Sequence, residues 1–260
     1  MATRRKHQPR SRRKSGRLFH IYIVLSTLLI IAAVVAGSMV FFKANKFEVQ
    51  GNQRYTEEEL LEVSGLEAGE NLFRIPRREI ARQMEEALPY LKRVNIRLIP
   101  PERVVIEVEE TVPAGAIVSG SQIWYVDSGG KLLEQVSENG GYPEITGLTL
   151  VEPAVGTEFA VAEEDSLKAK GLKGLLAALE EKNMLSKVQS IDLSASSSYL
   201  VMLYENRLSV KMGLADDFVY DLKMLTAAEE KYISENWGPN DTGTLDMTRA
   251  EGQAHLSRDD

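Results

Sequence analysis

Residues 89–114 read PYLKRVNIRLIPPERVVIEVEETVPA. Val94, Ile96 and Leu98 alternate with Asn95 and Arg97, and Val104, Ile106 and Val108 alternate with Glu107 and Glu109. A period of two places one set of side chains on each face of a strand, so both runs predict half-buried strands. Pro100-Pro101 supplies the turn between them. The pattern predicts Ile96 and Ile106 as core neighbours on adjacent strands, with Arg97 and Glu107 facing solvent. A hairpin with one apolar face needs a cover, and the residues before it provide one.

Upstream, Phe47 and Val49 alternate with Glu48 and Gln50 and run into Gly51-Asn52, a short strand ending in a turn. Thr56-Glu57-Glu58-Glu59 has the spacing of a capping box, in which Thr56 caps the amide of Glu59 and Glu59 reaches back. The helix it opens carries Leu60, Leu61 and Val63 inward and should stop near Gly65. Pro76 suits a first helical position, Ile80, Met84, Ala87 and Leu88 mark one apolar face, and Pro89 ends that second helix. The order over residues 46–112 is strand, helix, helix, strand, strand, a small α+β module.

Further upstream, Leu18 to Phe42 is an apolar run without formal charge, interrupted only by Ser26, Thr27, Ser38 and His20. As a helix it reaches roughly 35 Å, enough to cross a hydrocarbon core of about 30 Å. Arg4, Arg5, Lys6, Arg10, Arg12, Arg13, Lys14 and Arg17 precede it, and no Asp or Glu occurs before Glu48. Short basic flanks stay in the cytoplasm, so residues 1–17 are expected inside and everything after residue 42 outside. A cleaved signal peptide has an apolar region of about 7–15 residues and small residues at its cleavage site. This run is longer, and Met39, Val40, Phe41 and Phe42 occupy that place. The first 17 residues carry +8, so the formal total of -7 leaves -15 on the remainder. The basic tip suits anionic lipid, and the acidic remainder would be repelled by polyanions, which argues against nucleic acid. Cysteine is absent, so the outer part has no disulfides and must be held by packing.

Downstream, residues 113–256 form a second unit. Ala116 to Val118, Ile123 to Val126 and Leu132-Leu133 predict short strands joined by Ser119-Gly120-Ser121 and Asp127-Ser128-Gly129-Gly130. Leu167, Leu172, Leu175, Leu176 and Leu179 have helical spacing. Ile191-Asp192-Leu193 is expected to begin a strand. Tyr199 to Tyr204 and Leu208 to Met212 read as a hairpin about Glu205-Asn206-Arg207. Phe218, Leu222 and Leu225 mark a last helix, Leu245-Asp246-Met247-Thr248 a late strand, and Gly252 to Leu256 a closing edge strand. Residues 257–260 are expected to be a frayed polar tail.

Several motifs invite a chemistry and lack its context. Asp241-Thr242-Gly243-Thr244 holds an aspartic-protease triplet, but that reaction needs two carboxylates sharing a proton, and here the triplet follows Gly238-Pro239-Asn240 rather than an apolar strand. Gly171-Leu172-Lys173-Gly174 matches the loop of KH domains but sits within the leucine-spaced helix. Ser166 and Lys168 are two apart on a helix and do not face each other. Asp216, Asp217 and Asp221 fit the first turn of the last helix, where negative charge is favoured. The histidines are His7, His20 and His255, which leaves none in the body of the outer part for a triad or zinc site, and no metal or cofactor is expected. Trp124 and Trp237 read as packing residues.

The module at 46–112 resembles a POTRA domain. The succession Pro89, Val94, Ile96, Arg97, Leu98, Pro101, Val104, Ile106, Val108-Glu109-Glu110, Pro113 and Ala114 resembles the FtsQ/DivIB family of bacterial cell division proteins. So does Phe47, Val49 and Gly51-Asn52 placed just beyond a single anchor with a basic tip. Tyr142-Pro143-Glu144-Ile145-Thr146-Gly147 is similar to a Pro-containing segment of that family, and Leu245 to Thr248 to its final strand. Thr111 and Thr248 depart from it, standing where basic residues are usual.

The resemblance implies an α+β fold: one transmembrane helix (18–42), a POTRA domain, then a larger β-rich domain with two helices. It implies a non-enzymatic, single-pass protein of the bacterial plasma membrane, located at the division septum. Its partners would be FtsL-like and FtsB/DivIC-like bitopic proteins, through which it helps regulate septal peptidoglycan synthesis without a small-molecule substrate. Strand addition at the terminal edge would carry binding, with Leu245, Asp246, Met247, Thr248, Gly252, Gln253, Ala254, His255 and Leu256 in the interface and Tyr232 beside it. Two other readings compete. A membrane-anchored wall hydrolase needs a carboxylate pair, and 38 Asp and Glu offer many. A POTRA-type envelope chaperone usually carries several POTRA copies or precedes a barrel, and here there is one.

Overall fold

The computed structural model describes residues 16–215, 217–238, 241–248 and 254–259. Helix α1 spans Gly16–Phe41, 26 residues. Its stretch Phe19–Gly37 has a mean hydropathy of 2.5, and none of it is buried. Its length, composition and exposure fit a membrane anchor.

Strand β1 (Lys46–Gln50), helices α2 (Glu57–Ser64) and α3 (Arg77–Ala87), and strands β2 (Leu91–Ile99) and β3 (Arg103–Glu110) follow in the expected order. The capping box forms: Thr56 Oγ1 accepts from Glu59 N–H at 3.2 Å, and Glu59 Oε2 accepts from Thr56 N–H at 2.8 Å. Gly65, in the left-handed region at φ 63°, closes α2. Pro76 stands one residue before α3, at its N-cap. The sheet order is β1-β3-β2, with β1 parallel and β2 antiparallel to the central β3. Ile96 lies opposite Ile106 and both are buried, packed with Leu60, Leu72, Ile80 and Met84 from the helical side. Arg97 and Glu107 pair at 2.5 Å on the outer face.

The second unit is a nine-stranded sheet. Its strands are β4 (Gly115–Ser119), β5 (Gln122–Val126), β6 (Leu132–Val136), β7 (Glu144–Thr146), β8 (Val188–Asp192), β9 (Tyr199–Tyr204), β10 (Leu208–Gly213), β11 (Gly243–Asp246) and β12 (His255–Arg258). They lie in the order β12-β11-β10-β9-β8-β7-β4-β5-β6. Helices α4 (Ser166–Glu181) and α5 (Phe218–Ala228) cover one face. Leu172, Leu175, Leu176 and Leu179 of α4 and Phe218, Leu222 and Leu225 of α5 meet Ile117, Ile145, Ile191, Met202, Val210 and Leu245 of the sheet. Alternation along the strands sends Ala116, Tyr125 and Leu133 to the opposite face, where they are buried with Tyr90.

Two strand expectations change, and one helix expectation holds. Ile191-Asp192 closes β8 instead of opening a strand, because pairing with β9 begins at Val188. The Gly171–Gly174 motif lies inside α4, where its glycines admit close neighbours: a Cβ at Gly171 would come within 2.9 Å of the Leu214 carbonyl oxygen, and one at Gly174 within 3.1 Å of the Phe218 ring. The closing strand is His255–Arg258 and not Gly252–Leu256, so Ser257 and Arg258 belong to the sheet and not to a frayed tail.

The POTRA domain is fastened to the β6 end of the large sheet. The Tyr90 hydroxyl donates to Glu134, and the Arg54 guanidinium lies 3.7 Å above the Tyr90 ring. Burial and the neighbouring Glu134 carboxylate push the Tyr90 phenol above its ordinary value. Lys131 Nζ donates to the carbonyls of Glu85 (2.6 Å) and Leu91 (3.0 Å), and burial holds its ammonium below the usual lysine range. Glu180 of α4 accepts from Ser128 Oγ (2.6 Å) and Lys92 Nζ (3.0 Å). The second sheet is thereby oriented with β6 toward the POTRA domain and β12 at the far edge.

Candidate functional site

The far edge is built from the turn that precedes β11. Asp241 accepts the Gly238 N–H at 2.6 Å and pairs with Arg258 of β12 at 2.7 Å. Thr242 Oγ1 donates to Asp259 at 2.8 Å, while Asp259 N–H donates to the Thr242 carbonyl at 2.9 Å. Gly243 begins β11, and a Cβ there would fall 2.3 Å from the Ser257 carbonyl oxygen and 2.3 Å from the Trp237 ring. The Asp-Thr-Gly triplet is therefore a latch holding β12: a carboxylate for Arg258, a hydroxyl for Asp259, and a bare Cα over which Trp237 and β12 close. Trp237 packs against the core together with Leu256. Asp246 ends β11 by accepting from the N–H (3.0 Å) and Oγ1 (2.7 Å) of Thr248, a side-chain turn that leaves the strand direction.

Strand β11 runs parallel to β10 and antiparallel to β12, with Leu245 opposite Leu256 and Asp246 opposite His255. Asp259 faces β11 through its N–H. Alternation then turns Ser257 and His255 toward β11 as well, and points the N–H and C=O groups of Leu256 and Arg258 outward. Among the described residues nothing pairs with that outer row. An unpaired strand edge of this kind is a template for another extended segment.

The residues expected in the interface separate into groups. Leu245 (1% exposed) and Met247 (7% exposed) are core, because their side chains point beneath the helices; they support the edge and do not present it. Asp246 and Thr248 are occupied with one another. Ala254 and His255 are exposed and Leu256 is half-buried, on or beside the edge strand itself. Gly252 and Gln253 lie outside the described residues. Tyr232 is 63% exposed, on the π-helical turn Glu229–Ile233 that continues α5. Its neighbour Ile233 is buried, and the Ile233 carbonyl accepts from Trp237 N–H at 3.0 Å, which ties this turn to the ring over Gly243.

Sequence reasoning missed Asp241, Thr242, Ser257, Arg258 and Asp259 as parts of this edge. The Asp-Thr-Gly triplet was the available signal, as a turn into a strand. Among the described residues no group of three or more His, Asp or Glu could hold a metal ion. Asp217 caps α5 by accepting from Tyr220 N–H at 3.2 Å, and Asp221 is buried in its first turn. Asp216 lies outside the described residues.

Residues 42–111 match the family described as POTRA domain, FtsQ-type. A cell division protein FtsQ from Syntrophotalea carbinolica is 26% identical over 206 residues, covering 76% of this chain and 70% of that one. FtsQ from Corynebacterium glutamicum is 32% identical over 124 residues, 48% of this chain and 55% of that one. Cell division protein DivIB from Clostridium acetobutylicum is 28% identical over 179 residues, 68% and 69% of the two chains. Against three of its FtsQ relatives the match spans only 44%, 48% and 55% of the relative's length. The chain thus carries a POTRA domain of the FtsQ type behind an apolar N-terminal helix, and it is similar to cell division proteins named FtsQ and DivIB alike.

Proposed function

We propose that the chain is a bitopic assembly component of the bacterial divisome, with residues 1–17 in the cytoplasm and residues 46–260 outside. In this reading it stands at the septum and binds FtsL-like and FtsB/DivIC-like partners, and through them helps regulate septal peptidoglycan synthesis. The POTRA domain occupies 46–112, and the binding domain extends from 113 through the edge strand. The observation that carries the reading is the outward row of backbone groups on β12, held in place by Asp241–Arg258 and Thr242–Asp259. A partner segment adds as a further strand: main-chain hydrogen bonds give affinity, and alternate side chains give specificity. His255 and Ser257 lie on the open face beside such a segment, and Leu256 on the helical face.

The test is capture of the bitopic partners by the full chain in membranes. Leu256→Pro and Arg258→Pro each remove an outward N–H and add a ring at the docking edge, and should abolish capture. Ser257→Ala leaves the backbone intact and should capture like wild type. Wild-type capture by proline variants with unchanged circular dichroism would rule out strand addition at this edge and move the search to the POTRA domain. Reporters placed at either end of the chain test the orientation: one after Arg258 that is active only in the cytoplasm would contradict it.

A further inference from the structure

The POTRA domain is stitched to the end of α1 and does not hang from a free linker. Leu72 N–H donates to the Phe42 carbonyl at 3.0 Å, Ala44 N–H to Glu70 at 2.8 Å, and Gly69 N–H to Ala44 at 2.8 Å. Lys43 and Asn71 form a bridge between the same two segments. The Phe42 ring stands edge-on to Phe73, centroids 5.2 Å apart, and edge-on to Phe41 at 5.4 Å. Yet Phe41 and Phe73 are 69% and 63% exposed, so nothing among the described residues covers the outer side of that aromatic row.

Charge is segregated at the same place. The stretch Asn71–Arg78 contains Arg74, Arg77 and Arg78 and no carboxylate, although the chain beyond residue 17 is strongly acidic. All three arginines and Lys43 are exposed. None of the four is in an ion pair among the described residues, whereas Arg82, one turn further along α3, is held by Glu79 at 2.5 Å and Glu86 at 2.6 Å. Arg77 and Arg78 open α3, where the helix dipole favours anions and disfavours cations. Their placement fits an anionic surface outside the chain.

Depth selects that surface. If Phe19–Gly37 fills the hydrocarbon core, the four residues to Phe41 carry the helix about 6 Å further, into a headgroup layer about 5–7 Å thick. Phe73, its ring centroid 5.2 Å from that of Phe42, stands close to that level. Apolar rings beside arginines are the composition of an interfacial contact, and each cation near an anionic bilayer adds roughly a fivefold preference. We propose that the face of the POTRA domain formed by Phe73, Arg74, Arg77 and Arg78 lies on the membrane, its ring among the headgroups and its arginines on anionic phospholipid. This rests on reading α1 as a membrane anchor.

The chain has no cysteine, so single nitroxide labels can be placed without altering other sites. The full chain, in bilayer discs of phosphatidylcholine alone or of phosphatidylcholine with one third phosphatidylglycerol, is labelled at Ile31→Cys, Phe73→Cys or Tyr232→Cys. Accessibility is then read against oxygen and a water-soluble nickel chelate. A water-exposed label at position 31 overturns the anchor reading itself. With 31 in lipid, the label at 73 should favour oxygen, between 31 and 232, and more strongly in phosphatidylglycerol discs. Arg74→Gln/Arg77→Gln/Arg78→Gln should remove that increment with circular dichroism unchanged. A label at 73 that behaves like 232 in both discs overturns the proposal, as does an increment that survives the triple substitution. Spin–spin broadening at 73 that is lost on dilution with unlabelled protein would assign the face to a second copy and overturn it too.

Discussion

The two ends of the nine-stranded sheet are held by opposite means. At the β6 end, Leu133 and Tyr125 are buried against Tyr90, and Lys131 reaches across to two POTRA carbonyls. The start of that edge is covered as well: Leu132 N–H donates to Thr157 and Gly156 N–H to Leu132, both at 2.8 Å. At the β12 end, the ladder to β11, one half-buried leucine and a few polar contacts at the rim hold the strand, and among the described residues nothing pairs with its outer backbone. The first end is closed by buried contacts, and the second ends in a strand whose outer row is unpaired among the described residues. Desolvated contacts cannot be exchanged cheaply, whereas an exposed latch orders a strand and leaves its outer row free.

The difference is sharpest in the core. Leu133→Ala should cost about 2–5 kcal/mol in chemical unfolding, since Leu133 is fully buried in the joint. Leu256→Ala, half-buried at the latch, should cost about 1 kcal/mol, reflecting the smaller area lost. Equal losses would mean that the edge is as much part of the core as the joint. Lys131→Met keeps the aliphatic stem but strands the Glu85 and Leu91 carbonyls, and should cost about 1–3 kcal/mol.

Lys131 also fixes a sign. Burial lowers its folded value below 10.5, so the unfolded chain binds the proton more tightly. Its contribution to stability therefore rises as pH climbs through the folded value toward 10.5, and Lys131→Met should lack that rise.

How far the sequence carried the reading depended on distance along the chain. Val94, Ile96, Val104 and Ile106 declared their strands because a period of two is local, and Thr56 and Glu59 declared their helix three residues apart. The joint was silent: Tyr90 meets Glu134 across 44 positions and Lys92 meets Glu180 across 88, and neither residue type differs from an ordinary surface one. The last strand was placed three residues early because Ser257 and Arg258 carry no apolar alternation. What pairs them is the latch from Asp241 and Thr242, which no pattern within the strand displays. Leu245 and Met247 were expected at the interface because the final strand was taken as a whole, although alternation with Asp246 and Thr248 already separated core from rim.

Two smaller effects complete the contrast. Burial raises the Glu180 carboxyl, but the Ser128 hydroxyl and Lys92 outweigh it and hold the group below 4.5. Its contribution is thus complete above 4.5 and lost as pH falls through the lowered folded value, so Glu180→Gln should flatten the acid limb of the stability curve. Arg258→Ala, at an exposed pair, should change global stability by only about 0–1 kcal/mol, with salt reducing the difference further.

The central claim is that β12 offers a free row of backbone groups to a partner strand, and residue-resolved amide hydrogen exchange reads that row directly. In the full chain alone, the amides of Leu256 and Arg258 should exchange much faster than that of Ser257, which bonds to β11. On addition of the bitopic partners, Leu256 and Arg258 should become protected while Ser257 changes little. If Leu256 and Arg258 stay fast in a complex that has formed, partner binding does not use this edge.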